Sequence, residues 1–263
     1  MFCLDEYTLL DVMCHYLLAP WRKIAMQKYY LLALMLSMGL IISRPAQADQ
    51  KADKLLEDVK SVLKNAQSFS AQATINTVSG KNSNKQVMII KMQKPDKAVE
   101  ITTGKYSSGE SLDDSLYADG KNLWVYDKAV NEYIKQPLIA GLLMLTMTED
   151  ISLLFFNSEA LSADAPGVSS FTTNYLGTKK VEGVTCQVIE VAITQSLSSK
   201  RVYYIGPDKM LRRVTYTSKT PDGLTLSSDT LIAQIKLNPT LSAADFAFTP
   251  PPGAKQTSGQ FSK

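Results

Sequence analysis

The sequence predicts an α+β domain in which one amphipathic helix leads into a curved antiparallel sheet closed over by two short helices. Three observations carry that reading. Residues 51–67 repeat apolar side chains at helical spacing, with Leu55, Leu56, Val59, Val62 and Leu63 on one face and Lys51, Lys54, Glu57, Lys60 and Lys64 largely on the other. Beyond them the pattern changes to short extended runs punctuated by Gly80-Lys81-Asn82, Asp119-Gly120, Gly206-Pro207-Asp208 and Pro221-Asp222-Gly223. Between the two groups of runs lies Leu138–Phe156, the most apolar stretch after residue 48.

The 263 residues are 45% apolar and 20% charged, an ordinary globular balance that argues against disorder and against a polytopic membrane protein. A net charge of +3 gives no reason to expect a nucleic-acid partner. From Met26 a basic start (Lys28), an apolar run (Tyr29–Ile42) and Ala46-Gln47-Ala48 read as a cleaved signal peptide, with a chain beginning at Asp49. The apolar run is shorter than the roughly 20 residues a spanning helix needs. Asp5, Glu6 and Asp11 do not suit the basic region of a signal peptide, which points to Met26 as the start of translation. The domain plan is thus a leader over 1–48 and a single domain over 49–263, soluble in the periplasm and expected to be a monomer. Cys186 alone remains after residue 48, so no internal disulfide can form, and no lipid-accepting cysteine follows the cleavage site. The one histidine, His15, is lost with the leader.

The strands expected are 69–78, 85–94, 98–103, 114–118, 122–127, 131–136, 171–177, 184–194, 200–205, 210–218 and 224–237. Several are apolar on both faces. Met88, Ile90 and Met92 point one way and Val87 and Ile89 the other, and Trp124 alternates with Leu123 and Val125. Two apolar faces call for two layers of cover. The leading helix supplies one; the expected helices 138–147 and 149–156, the second opened by Thr148, Glu149 and Asp150, supply the other. That stretch completes a core or forms a movable lid over a lipid-sized cavity.

Asp119-Gly120-Lys121-Asn122-Leu123-Trp124-Val125-Tyr126 resembles the D-G-K-x-L-W-x-Y segment of the LolA family, periplasmic carriers of outer-membrane lipoproteins. Lys94-Pro95-Asp96-Lys97 resembles that family's basic-Pro strand end, and Phe246-Ala247-Phe248-Thr249-Pro250-Pro251-Pro252-Gly253 its F-x-F-x-P-P-x-G close. The three occur in family order. The resemblance implies a strongly curved antiparallel half-barrel around an apolar cavity, lidded by short helices. It implies acyl chains of a lipoprotein or lipid as cargo, a membrane-embedded donor and an outer-membrane acceptor. Under it, Met88, Ile90, Met92, Trp124, Tyr126, Leu142, Leu143, Leu145, Phe155 and Phe156 line the lipid site. Met88, Met92, Met144 and Met147 suit a surface that repacks around changing ligands. The family carries an arginine at the basic-Pro position that clasps the lid through backbone carbonyls. Lys94 stands there in this chain, and a lysine point charge implies a weaker clasp. The same fold also serves as lipid- or lipoprotein-sensing domains of envelope stress signalling.

An envelope hydrolase is the remote alternative. Ser61-Val62-Leu63-Lys64 matches S-x-x-K, with Lys219-Thr220 and Ser228-Asp229 as faint echoes in the wrong order. No nucleotide, cofactor or metal signature occurs, so the expectation is binding without catalysis, cofactor or metal. The basic cluster Lys200, Arg201, Lys209, Arg212 and Arg213 reads as solvated strand edges rather than a lipid-headgroup site.

Overall fold

A computed structural model describes residues 49–138, 150–165, 167–194, 198–220 and 223–258. Helix α1 (Gln50–Asn65) is followed by β1 (Ser68–Ser79), β2 (Asn82–Gln93), β3 (Lys97–Tyr106), β4 (Ser111–Asp119), β5 (Asn122–Asp127) and β6 (Glu132–Pro137). Helix α2 (Asp150–Phe156) precedes β7 (Ser170–Val181), β8 (Val184–Thr194), β9 (Ser198–Ile205), β10 (Leu211–Lys219), β11 (Thr225–Leu237) and β12 (Lys255–Thr257). One sheet holds all twelve strands in the order β12-β6-β5-β4-β3-β2-β1-β11-β10-β9-β8-β7. Consecutive strands pair antiparallel within β1–β6 and within β7–β11, and β11 returns beside β1 to join the two meanders. Every expected strand is present. β12, which pairs in parallel with β6, was not anticipated, because three polar residues carry no period.

The leading helix forms where its pattern places it. The Asp49 carboxylate accepts from the Lys51 amide at 2.9 Å, capping the first turn. Ala52, Leu55, Leu56, Val59 and Leu63 are buried. Lys60, expected on the solvent side, is also buried, its ammonium donating to Glu57 at 2.7 Å while its stem lies along the core.

The register fixes which side chains share a face. Phe69, Met92, Ala98, Ala118 and Leu123 form one row across β1–β5. Ala71, Ile90, Glu100, Leu116, Val125 and Ile134 form the next, across β1–β6. This inner face joins the core cluster that contains α1 and α2.

The sheet curls strongly, and one contact set shows it. Ser152 on α2 donates to Glu100 on β3 at 3.0 Å, while Asp150, two residues earlier, meets Arg201 and Tyr203 on β9. Five inter-strand steps separate β3 from β9. At about 4.8 Å each, a flat sheet would hold them roughly 24 Å apart, far beyond the reach of neighbouring side chains on one helical turn.

The expectation of helices on opposite faces is not met. α1 and α2 pack on each other and belong to one core cluster on the inner face. The outer face is covered instead, in part, by the chain after β11. A single turn of 3-10 helix (Ala243–Phe246) lies against β3 and β4. Phe248 then sits among Tyr117, Trp124, Tyr126 and Tyr133, with ring centroids 5.2–6.5 Å away. A second, smaller outer cluster packs Val181, Cys186, Val188 and Tyr204. Dual apolarity of the strands thus has a cause, but the second layer is the C-terminal strap.

Candidate functional site: the inner face beneath α2

Met88, Ile90 and Met92 occupy alternate positions of β2, so all three point inward, and all are buried. Ala71, Ala73, Ala98 and Ala118 flank them. Small side chains there leave room for bulk presented by a helix above. Phe155 supplies it: the side chain is 1% exposed, with its ring 6.1 Å from that of Phe69 and 5.1 Å from that of Phe156. Phe156 is half-buried against the same cluster.

Trp124 and Tyr126 do not belong to this face. Trp124 stands opposite Tyr117, which stands opposite Val99, which stands opposite Lys91. Lys91 lies between the inward Ile90 and Met92, so the whole row faces outward, toward Phe248. Their expected place beside Met88 is corrected by that one-residue difference in strand parity. The inward members of β5 are Leu123 and Val125. Leu142, Leu143, Leu145, Met144 and Met147 lie outside the described residues, as does most of the expected helix 138–147. The expected helix 149–156 is α2.

Lys94 stands at the rim of β2. Its ammonium donates to the carbonyls of Leu63 at 2.8 Å and Lys64 at 2.7 Å, two of the open carbonyls at the end of α1. It also lies 4.6 Å from the Phe155 ring centroid, and burial lowers its pKa. The carbonyls it holds therefore belong to α1, not to the segment over the cavity as expected. Contact with α2 is through the aromatic face.

Two polar tethers hold α2, and neither was foreseen. At its start, Arg201 Nε donates to the Asp150 carboxylate at 3.2 Å and the Tyr203 hydroxyl donates to it at 2.8 Å. Burial works against the Arg201 charge, but the carboxylate outweighs it and holds the guanidinium pKa above its ordinary value. Burial, and then the same carboxylate, push the Tyr203 phenol well up. The second tether is Ser152 to Glu100, both buried. Glu100 between Val99 and Ile101 was a readable signal, since a carboxylate on an apolar strand needs a partner.

At the far end of the same face, Asp114 stands directly opposite Asp127 across β4–β5. Burial, then Asp127 and Asp113, raise its pKa from 3.8 to about 7. Tyr106 nearby is pushed up to about 12, chiefly by burial and then by Asp114, Glu110 and Asp127.

The basic cluster expected at strand edges disperses into ion pairs: Lys200 with Glu190, Arg201 with Asp150, Lys209 with Asp58, Arg212 with Asp208 and Arg213 with Asp229. Ser61 and Lys64 are exposed on α1. Among the described residues no group of three or more His, Cys, Asp or Glu side chains is placed to hold a metal, and no helix is long and apolar enough to cross a membrane.

Comparison with known proteins places this architecture. A family model described as a predicted periplasmic protein, DUF2092, matches residues 52–258. The chain belongs to that family. The DUF2092 match runs from the first turn of α1 to just past β12, so it takes in both helices and the whole sheet. A protein of Methanocaldococcus jannaschii, itself uncharacterized, is 24% identical over 87% of this chain. This chain spans 60% of the length of that relative. Among solved structures, this DUF2092 chain is similar to the lipoprotein LppX of Mycobacterium tuberculosis, with 12% identity, a TM-score of 0.42 and coverage of 73% and 98% of the two chains. It is similar to a LolA superfamily protein of Nitrosomonas europaea, with 13% identity, a TM-score of 0.35 and coverage of 75% and 97%. It is also similar to a chain of the MucA/MucB complex of Pseudomonas aeruginosa, with 9% identity, a TM-score of 0.43 and coverage of 76% and 61%.

Proposed function

We propose that this protein is a soluble periplasmic carrier whose inner sheet face takes the acyl chains of a lipid or lipoprotein. The observation that carries the reading is the inner face itself. It presents Phe69, Met88, Ile90, Met92, Leu116 and Leu123 beneath a helix of only seven residues. Acyl chains lose about 0.8 kcal/mol for each methylene left in water, so a carrier must offer an apolar surface of comparable extent. α2 fills that surface with Phe155, and an acyl chain offers the same face equivalent contacts. The soft thioethers of Met88 and Met92 accommodate either occupant. Leu142, Leu143, Leu145 and Phe156 join them as proposed lipid contacts, with Lys94 biasing α2 toward closure. Secretion follows from cleavage between Ala48 and Asp49. Loading comes from a membrane donor, and delivery is toward the outer membrane.

The test uses protein purified from the periplasm, its lipid extract analysed by mass spectrometry, and a photoactivatable fatty acid for mapping. Acyl lipids in the extract and crosslinks at Met88, Met92 or Phe155 are expected. A lipid-free protein that takes up no probe, or crosslinks confined to Trp124 and Tyr126, would sink the reading.

A further inference from the structure

We propose that the outer face of β2–β6 is a docking surface for an anionic lipid bilayer. The face has three components. Ile89 is 43% exposed and stands opposite Ile101 across β2–β3, with Val87 one pleat away. Ile89 is the large apolar side chain left open to water here, while Val87 and Ile101 are half-buried and the inner face takes Met88, Ile90 and Met92.

The second component is charge. Lys85 and Lys105 stand directly opposite each other on the same face, two residues from Val87 and Thr103. Both are exposed, and neither has an acidic partner among the described residues. Like charges facing across a strand pair weaken the sheet. The five cations between 200 and 213 each hold an acidic partner, unlike Lys85 and Lys105. The acids on the outer face near β2–β5 are already engaged: Asp245 with Lys91, Asp113 at 4.0 Å from Lys128, and Asp119 with the backbone amides of Lys121 and Asn122. The lysine pair is thus left for an external anion.

The third component is the aromatic group around Phe248. Trp124 and Tyr133 are half-buried, with apolar ring bodies and polar tips, and Lys135 lies 5.4 Å from the Trp124 ring. Indole and phenol rings beside lysines suit the headgroup boundary of a membrane, and each lysine near an anionic surface strengthens attachment. A bilayer fits a face of this mixed kind, of which the strap against β3 and β4 forms part, where a peptide strand would need an open edge and β6 is already paired by β12.

This inference deepens the carrier reading by naming where the protein meets its membrane. Its test needs no cargo, so the two can fail separately. Delipidated protein is floated with vesicles of phosphatidylglycerol and phosphatidylcholine, and with phosphatidylcholine alone. Binding to the anionic vesicles only, weakening with salt, is expected. In the chain that starts at Asp49, where Trp124 is the one tryptophan, emission should move to shorter wavelength on binding. Lys85→Gln with Lys105→Gln should weaken binding about 25-fold, from roughly fivefold per lysine. Ile89→Ser should weaken it further, with unchanged thermal melting showing that the fold is intact. Lys179→Gln with Lys180→Gln removes the same charge from β7 and should leave binding unchanged. Absence of binding, equal binding to neutral vesicles, or equal weakening by the two double variants would overturn the proposal.

Discussion

Replacing Asp114 by Asn should flatten the pH dependence of stability. The Asp114 carboxyl shares the inner face with Asp127 directly opposite it, and Asp113 precedes it in the chain. Burial and these two carboxylates raise its pKa from 3.8 to about 7. A raised carboxyl pKa means that the folded chain keeps a proton which the unfolded chain has already released. Stability therefore falls as pH rises from about 4 toward 7 and is level again above it. Three units at 1.36 kcal/mol each set a ceiling of about 4 kcal/mol, of which roughly 2 to 3 kcal/mol is lost between about pH 5 and pH 8. Asn has the same shape without the charge. Urea unfolding of both proteins across this range is the assay. The wild type should lose ground to Asp114→Asn as pH rises, and the carboxyl carbon of Asp114 should titrate near neutrality by NMR. Parallel stability curves, or titration of that carbon near its ordinary value, would refute the reasoning and show that water reaches the pair.

Three further outcomes follow from the contacts of α2. Phe155→Ala should cost about 3–5 kcal/mol in urea unfolding, because the ring is fully enclosed by Phe69, Phe156 and Lys94; a loss under about 1 kcal/mol, with fast hydrogen exchange confined to α2, would mean that the helix docks only weakly. Lys94→Met should cost about 1–3 kcal/mol by leaving the Leu63 and Lys64 carbonyls without their charged donor, and Lys94→Arg should restore most of it; equal loss in both variants would point to packing of the stem. Arg201→Met should cost about 3–5 kcal/mol because it strands the Asp150 carboxylate, and adding Asp150→Asn should recover much of that; additive losses in the double variant would show that the two residues do not act as a pair.

The strands were legible because each long one carries its own period and its own turn. Asp119-Gly120 illustrates the turn signal: the Asp119 carboxylate accepts from the Lys121 and Asn122 amides, and Gly120 adopts a φ of 92° that a side chain would resist. The leading helix was legible for the same local reason. Faces were harder. Alternation within β5 separates Trp124 from Val125, but only pairing through β4 and β3 back to β2 says which of them shares a side with Met88. The larger, more aromatic set looked like the cavity lining and is the outer row, because the Phe248 strap that covers it arrives more than a hundred residues later in the chain. The tethers of α2 were invisible for the same reason: Asp150 meets Arg201 and Tyr203, and Ser152 meets Glu100, across separations of about fifty residues that no local period encodes.

Those tethers also explain how so short a helix is placed. Seven residues make fewer than two turns of hydrogen bonds, too few to persist alone in water. Apolar burial of Ile151, Leu154 and Phe155 favours docking but specifies neither register nor direction. Asp150 and Ser152 supply both, because only one placement satisfies the β9 cation and the buried β3 carboxylate together. Displacing α2 would take the Asp150 carboxylate from Arg201 and the Ser152 hydroxyl from Glu100. On the carrier reading proposed above, cargo that takes the place of Phe155 must fill the aromatic position while leaving these polar ends wet or bonded. An acyl chain entering along the Met88–Met92 row, with a polar headgroup toward β9, meets both conditions, whereas a wholly apolar ligand meets only the first. Competition between lipids with and without a headgroup, read as displacement of a fluorescent fatty acid from the wild type and from Arg201→Met, separates them. Preference for the headgroup should shrink in the variant; an unchanged preference would mean that the β9 cation stays paired with Asp150 throughout.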